Sequence, residues 1–318
     1  MNILLYGPQG NANGMQTVNG QLARALRELG HTVMLGLPRG GISVLDQYRK
    51  KIEAETGCPA MTLDDRDFDH VFRNYDAIFV SCVGADLRKI IQAAAGRRVI
   101  ILTHGLHVMQ VLPWEAEYVK QPNVTYLCIN QDHMNQAGMM GVTGVPFDLP
   151  VPAAPKAVEL AEKYCVAVGT DRRKRLDRVA EIASALGMEC RVYGKIPELQ
   201  LTWLKYMGAV PHENLLEAVA GAAYLIHMAD TEGRPMAVLE AIGLGVPVIT
   251  PDAKLYDFLE NAPGCIRIGP NRPPSNELKA FDLAGPKKIA NRRALGKWAQ
   301  GAYGPEKFKA RLAEILGE

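Results

Sequence analysis

Long apolar stretches and paired cysteines are both missing from this sequence. No apolar run among the 318 residues approaches the roughly 18 residues that cross a bilayer, so we expect no integral membrane segment. Residues 1–7 lack a basic leader and are typical of a first β-strand, not of a signal peptide. The sequence therefore predicts a cytoplasmic protein, with peripheral contact at the inner membrane face left open.

The cysteines are few and scattered. None belongs to a CxxC pair, and several lie inside apolar, strand-like runs, which argues against disulfides and zinc ligation. We interpret them as buried thiols in a reducing cytoplasm. The six are Cys58, Cys82, Cys128, Cys165, Cys190 and Cys265.

Common nucleotide-binding signatures and a strong net charge are also absent. The glycine-rich segment 7–14 contains neither GxGxxG nor GxxxxGK[ST], and no acid ends the second predicted strand, which disfavours a dehydrogenase or an ATPase. A glycine turn before a helix still favours phosphate binding, with a simple tight turn as the alternative. The net charge of +2 creates no overall attraction to nucleic acid or membrane, although local basic clusters remain.

Strand-like and helix-like segments alternate in both halves of the chain. Runs such as 99–102 are apolar throughout, which is typical of a parallel sheet covered by helices on both faces. Four prolines between residues 146 and 155 interrupt the pattern and predict a linker. We predict an α/β protein with Rossmann-like domains at 1–146 and 147–302, facing across a cleft, and a final helix at 303–318.

Two acids mark the segment 230–247. Glu240 lies in a predicted apolar helix, where an ionised carboxylate costs several kcal/mol unless it is hydrogen-bonded or paired. A vicinal diol such as a ribose would supply two donors, and a buried Lys or Arg is the alternative partner. Pro235 suits the first helical turn, which leaves backbone N–H groups near Gly233 and Arg234 for a ligand.

A basic turn joins a strand to a helix in the second half. Arg172, Arg173, Lys174 and Arg175 repel one another and the positive end of a helix dipole, so a bound diphosphate would stabilise them. A solvated basic turn and a nucleic-acid phosphate contact are the alternatives.

The spacing Glu232-Gly-x-Pro-x-x-x-x-Glu240-Ala, followed by Gly245-x-Pro247, resembles the E-x7-E signature of retaining family 4 glycosyltransferases, which have the GT-B fold. Segment 208–218, with its Gly-x-Val-x-His pattern, resembles a second stretch of that family. The resemblance implies that Glu240 holds the nucleotide ribose and that Glu232, with the amides after it, contacts the transferred sugar.

The resemblance also assigns the basic turn. Lys174 corresponds to the family Lys that holds the donor diphosphate, and Arg172 or Arg173 substitutes for the family Arg, which is missing directly after the strand. His104 follows predicted strand 98–103, where a family His lies near the transferred sugar. The catalytic assignments are Glu232, Lys174, Arg173 and His104. The donor-binding assignments are Glu240, Arg172, Gly233, Arg234, Pro235, Met236, Gly14 and Gly169.

No metal and no cofactor beyond a UDP- or GDP-linked sugar co-substrate are expected. Asp67-Phe-Asp69 has the spacing of a metal motif found in another glycosyltransferase fold, but no strand leads into it, so we predict a surface turn. Arg234 stands where the family often has an aromatic residue or Leu. His227 is interpreted as structural.

The implied activity moves a sugar from a nucleotide diphosphate to an acceptor hydroxyl with retention. The acceptor is left open among a glycan, a lipid-linked molecule, a small molecule and DNA. Phage-type glycosylation of hydroxymethylated pyrimidines is an alternative because basic clusters at 172–175, 287–288 and 292–293 could meet phosphates. A non-catalytic nucleotide-sugar-binding GT-B protein is a second alternative, and a sugar-nucleotide epimerase a third.

Overall fold

Two compact units make up the chain in the computed structural model. The first comprises Met1–Leu149 with Phe308–Glu318, and the second comprises Pro150–Lys307. The structure describes residues 1–7, 14–39, 46–81, 86–102, 113–151, 164–198, 200–269, 278 and 289–318.

A parallel sheet forms the centre of the first unit. Its strands lie in the order β3-β2-β1-β4-β5-β6-β7, and each adjacent pair is parallel. The order reverses between β1 and β4. The strands are β1 (Asn2–Tyr6), β2 (Thr32–Pro38), β3 (Ala60–Leu63), β4 (Ala77–Val80), β5 (Arg98–Leu102), β6 (Val124–Cys128) and β7 (Gly144–Pro146).

Helices connect these strands because parallel neighbours need a crossover. The predicted apolar run Val99-Ile100-Ile101-Leu102 is buried along its whole length, which confirms that this strand lies inside the sheet. The connecting helices are α1 (Gly14–Glu28), α2 (Asp46–Thr56), α3 (Phe68–Phe72), α4 (Leu87–Ala94), α5 (Pro113–Val119) and α6 (Gln131–Met139).

The second unit repeats this architecture. Its parallel strands lie in the order β10-β9-β8-β11-β12-β13. They are β8 (Tyr164–Val168), β9 (Glu189–Tyr193), β10 (Leu204–Gly208), β11 (Tyr224–Ile226), β12 (Val248–Pro251) and β13 (Ile266–Ile268). The helices are α7 (Leu176–Leu186), α8 (His212–Gly221), α9 (Met236–Gly243) and α10 (Ile289–Tyr303), with 3-10 helices at Arg172–Lys174 and Lys254–Leu259.

The last helix, α11 (Pro305–Leu316), packs mainly on the first unit. The rings of Phe308 and Phe147 lie 5.4 Å apart, and Arg311 Nη2 donates to the carbonyl oxygen of Pro146 at 3.0 Å. Leu312 and Leu316 are buried on the same helix. The first unit therefore contains the two ends of the described chain.

The predicted surface turn around Asp67-Phe-Asp69 is instead helical. A 3-10 helix at Asp65–Asp67 runs into α3, and the Asp64 N–H donates to Asp67 Oδ2 at 3.0 Å. Local side-chain caps thus turn an acidic stretch into a helix start, which the metal-like spacing does not reveal. None of the helices that the structure describes is long and apolar enough to cross a membrane.

Candidate functional site

The order of the second sheet reverses between β8 and β11, which are parallel neighbours. Ligands of open α/β sheets bind outside the carboxyl ends of the strands at such a point. The segment after β8 contains Gly169 and the basic turn, and the segment after β11 contains Asp230 and Glu232. The fold therefore brings together two predicted motifs that are far apart in sequence.

An ion pair between Lys174 Nζ and Glu232 Oε1 joins these segments. Both side chains are mostly shielded, with exposed fractions of 18% and 16%. The Asp230 N–H also donates to the Arg173 carbonyl oxygen at 3.1 Å. Gly169 has a φ of +91°, and a Cβ there would lie 2.8 Å from Lys174 Cε, so the lysine side chain lies against the glycine. Three predicted site residues, Lys174, Glu232 and Gly169, are thus in one place.

Carboxylates surround the rest of the basic turn. Arg173 Nε donates to Asp171 Oδ1 at 3.0 Å, and Arg175 pairs with Asp177 at 2.9 Å and with Asp230 at 3.3 Å. These aspartates reduce the repulsion between the cations of the turn, and stabilisation of the turn by a bound diphosphate stays a prediction.

Arg172 differs from its neighbours in the turn. It is exposed, and no ion pair to it is found within the described part of the chain. Arg173, by contrast, already holds Asp171. Of the two arginines that sequence left open, Arg173 has an ion pair and Arg172 has none within the described residues, and the choice between them stays a prediction.

Glu240 lies in α9 with its side chain only 7% exposed. Its Oε1 is 2.8 Å from His212 Nε2, and His212 is the first residue of α8. The sequence left a Lys or Arg as the alternative to a ribose, and the side-chain partner in the structure is a histidine instead. His212 was recognised only as part of a sequence pattern and not as a site residue.

The pair changes the titration of the imidazole. The hydrogen bond to Glu240, with its negative charge as a smaller cause, raises the pKa of His212 above 6.5 despite partial burial. Oε1 of Glu240 thus has a polar partner, and Oε2 remains a hydrogen-bond acceptor for a ligand.

The loop between Glu232 and α9 is held by aromatic rings. The Arg234 guanidinium lies 4.5 Å above the Phe258 ring and 6.0 Å from the Tyr303 ring. Gly233 and Pro235 are buried on either side, and Pro235 occupies the N-cap position, one residue before the helix that starts at Met236. The unusual Arg at this position is therefore stacked on an aromatic surface.

The cluster of basic residues at 292–293 is not a continuous surface patch. Arg292 is buried and donates from Nε to the Gly245 carbonyl oxygen at 3.2 Å and from Nη2 to the Ala220 carbonyl oxygen at 2.6 Å. The prediction that Arg292 could meet nucleic-acid phosphates is wrong for this reason. Arg293 is exposed.

The structure explains why residue 245, just after α9, is a glycine. Its φ is +72°, and an added Cβ would overlap the Arg292 carbonyl group. The close approach of the two backbones therefore requires glycine at this position.

His227 follows β11 and is buried. Burial, with the Lys174 charge as a smaller cause, holds the pKa of His227 well below 6.5, so the imidazole is neutral. Its ring contacts Tyr256 edge-on at a centroid distance of 6.1 Å. Its Nε2 is buried and has no hydrogen-bond partner among the described residues, so the structural role stays a prediction.

The remaining predicted site residues belong to the first unit. Gly14 is the first residue of α1. His104 lies outside the described residues, as do Lys287 and Lys288. Among the side chains that the structure describes, no group of three or more His, Cys, Asp or Glu could hold a metal ion.

No protein-family model and no curated protein sequence matches the chain. Several solved structures are similar to the chain over nearly its whole length. HepE from Anabaena, in complex with UDP and glucose, is 13% identical with a TM-score of 0.74 over 100% of this chain and 99% of its own.

Two further structures are similar over the same extent. Sucrose-phosphate synthase from Thermosynechococcus elongatus is 14% identical, with a TM-score of 0.75 over 99% and 98% of the chains. The pneumococcal O-GlcNAc transferase GtfA, in complex with UDP and GlcNAc, is 10% identical, with a TM-score of 0.73 over 100% and 99%. At these identities the likeness establishes architecture: the chain has the α/β GT-B fold, with two Rossmann-like units.

Proposed function

We propose that the protein is a retaining glycosyltransferase that transfers a sugar from a UDP- or GDP-linked donor to an acceptor hydroxyl. The observation that carries the proposal is the contact of Lys174 with Glu232 at the strand-order reversal of the second unit. A cation suited to a diphosphate and an acid suited to sugar hydroxyls meet where α/β sheets bind ligands. HepE and GtfA, whose structures contain UDP with a sugar, support the donor class.

The basic turn would bind the diphosphate. Lys174 would exchange Glu232 for a phosphate oxygen, and exposed Arg172 would add a second positive charge. Positive groups fixed in advance stabilise the negative charge that grows on the departing nucleotide. Glu232, released from Lys174, would then accept hydrogen bonds from the transferred sugar.

The nucleotide ribose would bind at Glu240. One carboxylate oxygen is held by His212, and within the described residues no hydrogen bond reaches the other. A ribose diol supplies hydroxyl donors to such an acceptor. The acceptor hydroxyl would attack on the face that the leaving group departs from, which needs no protein nucleophile and no metal.

Donor binding is the first test. The melting temperature is measured with UDP-glucose, UDP-GlcNAc and GDP-mannose, and we expect one donor class to raise it. Glu240→Gln should weaken that donor by about 10- to 150-fold, because a hydrogen bond to a charged group contributes about 1.5–3 kcal/mol. The matched control is Glu217→Gln, which changes an exposed glutamate in the same unit and should leave binding unchanged.

Transfer is the second readout. Donor consumption is followed with glycan, lipid-linked, small-molecule and DNA acceptors, and Lys174→Ala should abolish it. Unchanged donor binding by Glu240→Gln would refute the ribose assignment. Donor binding without transfer or hydrolysis would instead favour a non-catalytic nucleotide-sugar-binding protein. DNA binding that does not depend on salt would argue against DNA as the acceptor.

A further inference from the structure

The carboxylate of Glu240 is fixed on one side only. Oε1 lies 2.8 Å from His212 Nε2, whereas no hydrogen bond to Oε2 is found within the residues that the structure describes. Glu240 is 7% exposed and His212 is 23% exposed, so the pair lies at the edge of the interior. One oxygen is thus anchored, and the other is an acceptor for which no partner is found among the described residues.

Two separate elements create this arrangement. His212 opens α8, which follows β10, and Glu240 lies in the middle of α9, which follows β11. Pro211 is the N-cap of α8, and the imidazole of His212, the next residue, contacts Glu240 of α9. The contact between the two helices therefore fixes the orientation of the Glu240 carboxylate.

An ionised carboxylate is an acceptor only, and its terminal torsion is soft when no partner fixes it. A donor on one oxygen selects one orientation and leaves the lone pairs of the other oxygen in a fixed direction. Groups whose orientation is fixed before binding lose less entropy when the ligand arrives. Such an acid discriminates strongly between ligands with and without the matching hydroxyl, since the missing hydroxyl leaves a buried acceptor unpaired.

We propose that His212 is a positioning residue for ribonucleotide recognition: it holds Oε1 of Glu240 so that Oε2 accepts hydrogen bonds from the ribose hydroxyls. The inference rests on the proposed function. It assigns to His212 the preference for a ribonucleoside diphosphate over its deoxy counterpart. A purely structural histidine would instead support the fold and affect both nucleotides equally.

The experiment is a thermodynamic cycle that combines substitutions of His212 with removal of the 2′-hydroxyl from the nucleotide. Dissociation constants are measured by calorimetry for UDP and 2′-deoxy-UDP, and for GDP and 2′-deoxy-GDP. The wild-type protein should prefer the ribonucleotide of its base by about tenfold or more. His212→Ala and His212→Leu should reduce this preference to about threefold or less, and His212→Gln, which keeps an N–H donor, should restore part of it.

Glu213→Ala is the matched control. It changes the adjacent, exposed residue in the first turn of the same helix and should keep the wild-type preference. A wild-type ribo-to-deoxy ratio in both His212→Ala and His212→Leu would overturn the inference. Equal binding of ribo and deoxy nucleotides by the wild type would also overturn it, because Glu240 would then not recognise the ribose, while donor binding itself would stand. Failure to bind any nucleotide or nucleotide sugar would contradict the proposed function.

Discussion

Glu240 shows how a carboxyl group inside an apolar helix obtains a polar partner. Its neighbours Val238, Leu239, Ala241 and Ile242 are all buried, so nothing on its own helix can solvate it. The first turn of a different helix supplies the imidazole of His212. The sequence predicted that Glu240 needs a partner, but the identity of that partner depends on how α8 packs against α9, which a local pattern does not contain.

The pair predicts a pH dependence of stability. The raised pKa of His212 means that the folded state binds its proton more tightly than the unfolded state. The stabilisation is complete below the unfolded pKa of about 6.5 and is lost as pH rises through the higher folded value. The difference in free energy of unfolding between wild type and His212→Gln should therefore shrink from pH 6 to pH 9.

Urea unfolding at pH 6, 7, 8 and 9 measures this difference. Glu213→Ala serves as the control, and its difference from wild type should not follow the same curve. A His212→Gln difference that is constant with pH would show that the imidazole carries no extra proton in the folded state.

At the scale of elements, Arg292 ties together three helices of the second unit. It lies in α10 and donates to the carbonyl oxygens of Ala220, in the last turn of α8, and Gly245, just after α9. Helix ends leave carbonyl groups without intrahelical partners and carry negative partial charge, so a buried guanidinium stabilises both. The Arg292-Arg293 pair looked uniform in sequence because charge alone does not reveal which side of a helix is buried.

Substitution separates the two arginines. Arg292→Met should lower the free energy of unfolding by about 3 kcal/mol, because it removes two charge-assisted hydrogen bonds and leaves buried carbonyl groups unpaired. Arg293→Met, one residue further along the same helix and exposed, should change it by less than about 0.5 kcal/mol. Both values come from denaturant titrations, and equal effects would contradict the role assigned to Arg292.

At the scale of the whole molecule, the architecture was the most predictable property. Apolar runs such as Val99–Leu102 and their alternation with helical segments were sufficient to predict two parallel sheets covered by helices. Strands that are buried on both faces appear in the sequence as continuous apolar runs. The Lys174–Glu232 contact could be anticipated only through a motif, since it joins positions 58 residues apart. Asp171 and Asp177 lie only two residues from the arginines that they pair with, whereas Asp230 lies 55 residues from Arg175 and approaches it only after the loops fold.

The final helix predicts a long-range effect on the first unit. Phe308 is buried against Phe147, so Phe308→Ala should cost about 3–5 kcal/mol of that unit's stability. Hydrogen exchange measured by mass spectrometry should show faster exchange in strands β5 and β6. Lys307→Ala, an exposed change in the same helix, is the control. Faster exchange confined to residues 150–307 would argue against this packing.

The first unit is therefore discontinuous along the chain, with the whole of Pro150–Lys307 inserted into it. During synthesis the ribosome releases Phe308, Leu312 and Leu316 only after the entire inserted unit has been made. Until then the nascent first unit carries Phe147 without its aromatic neighbour, and exposed apolar surface of this kind attracts chaperones and proteases. Chains interrupted before the final helix should consequently be degraded even though every strand of both sheets has been translated.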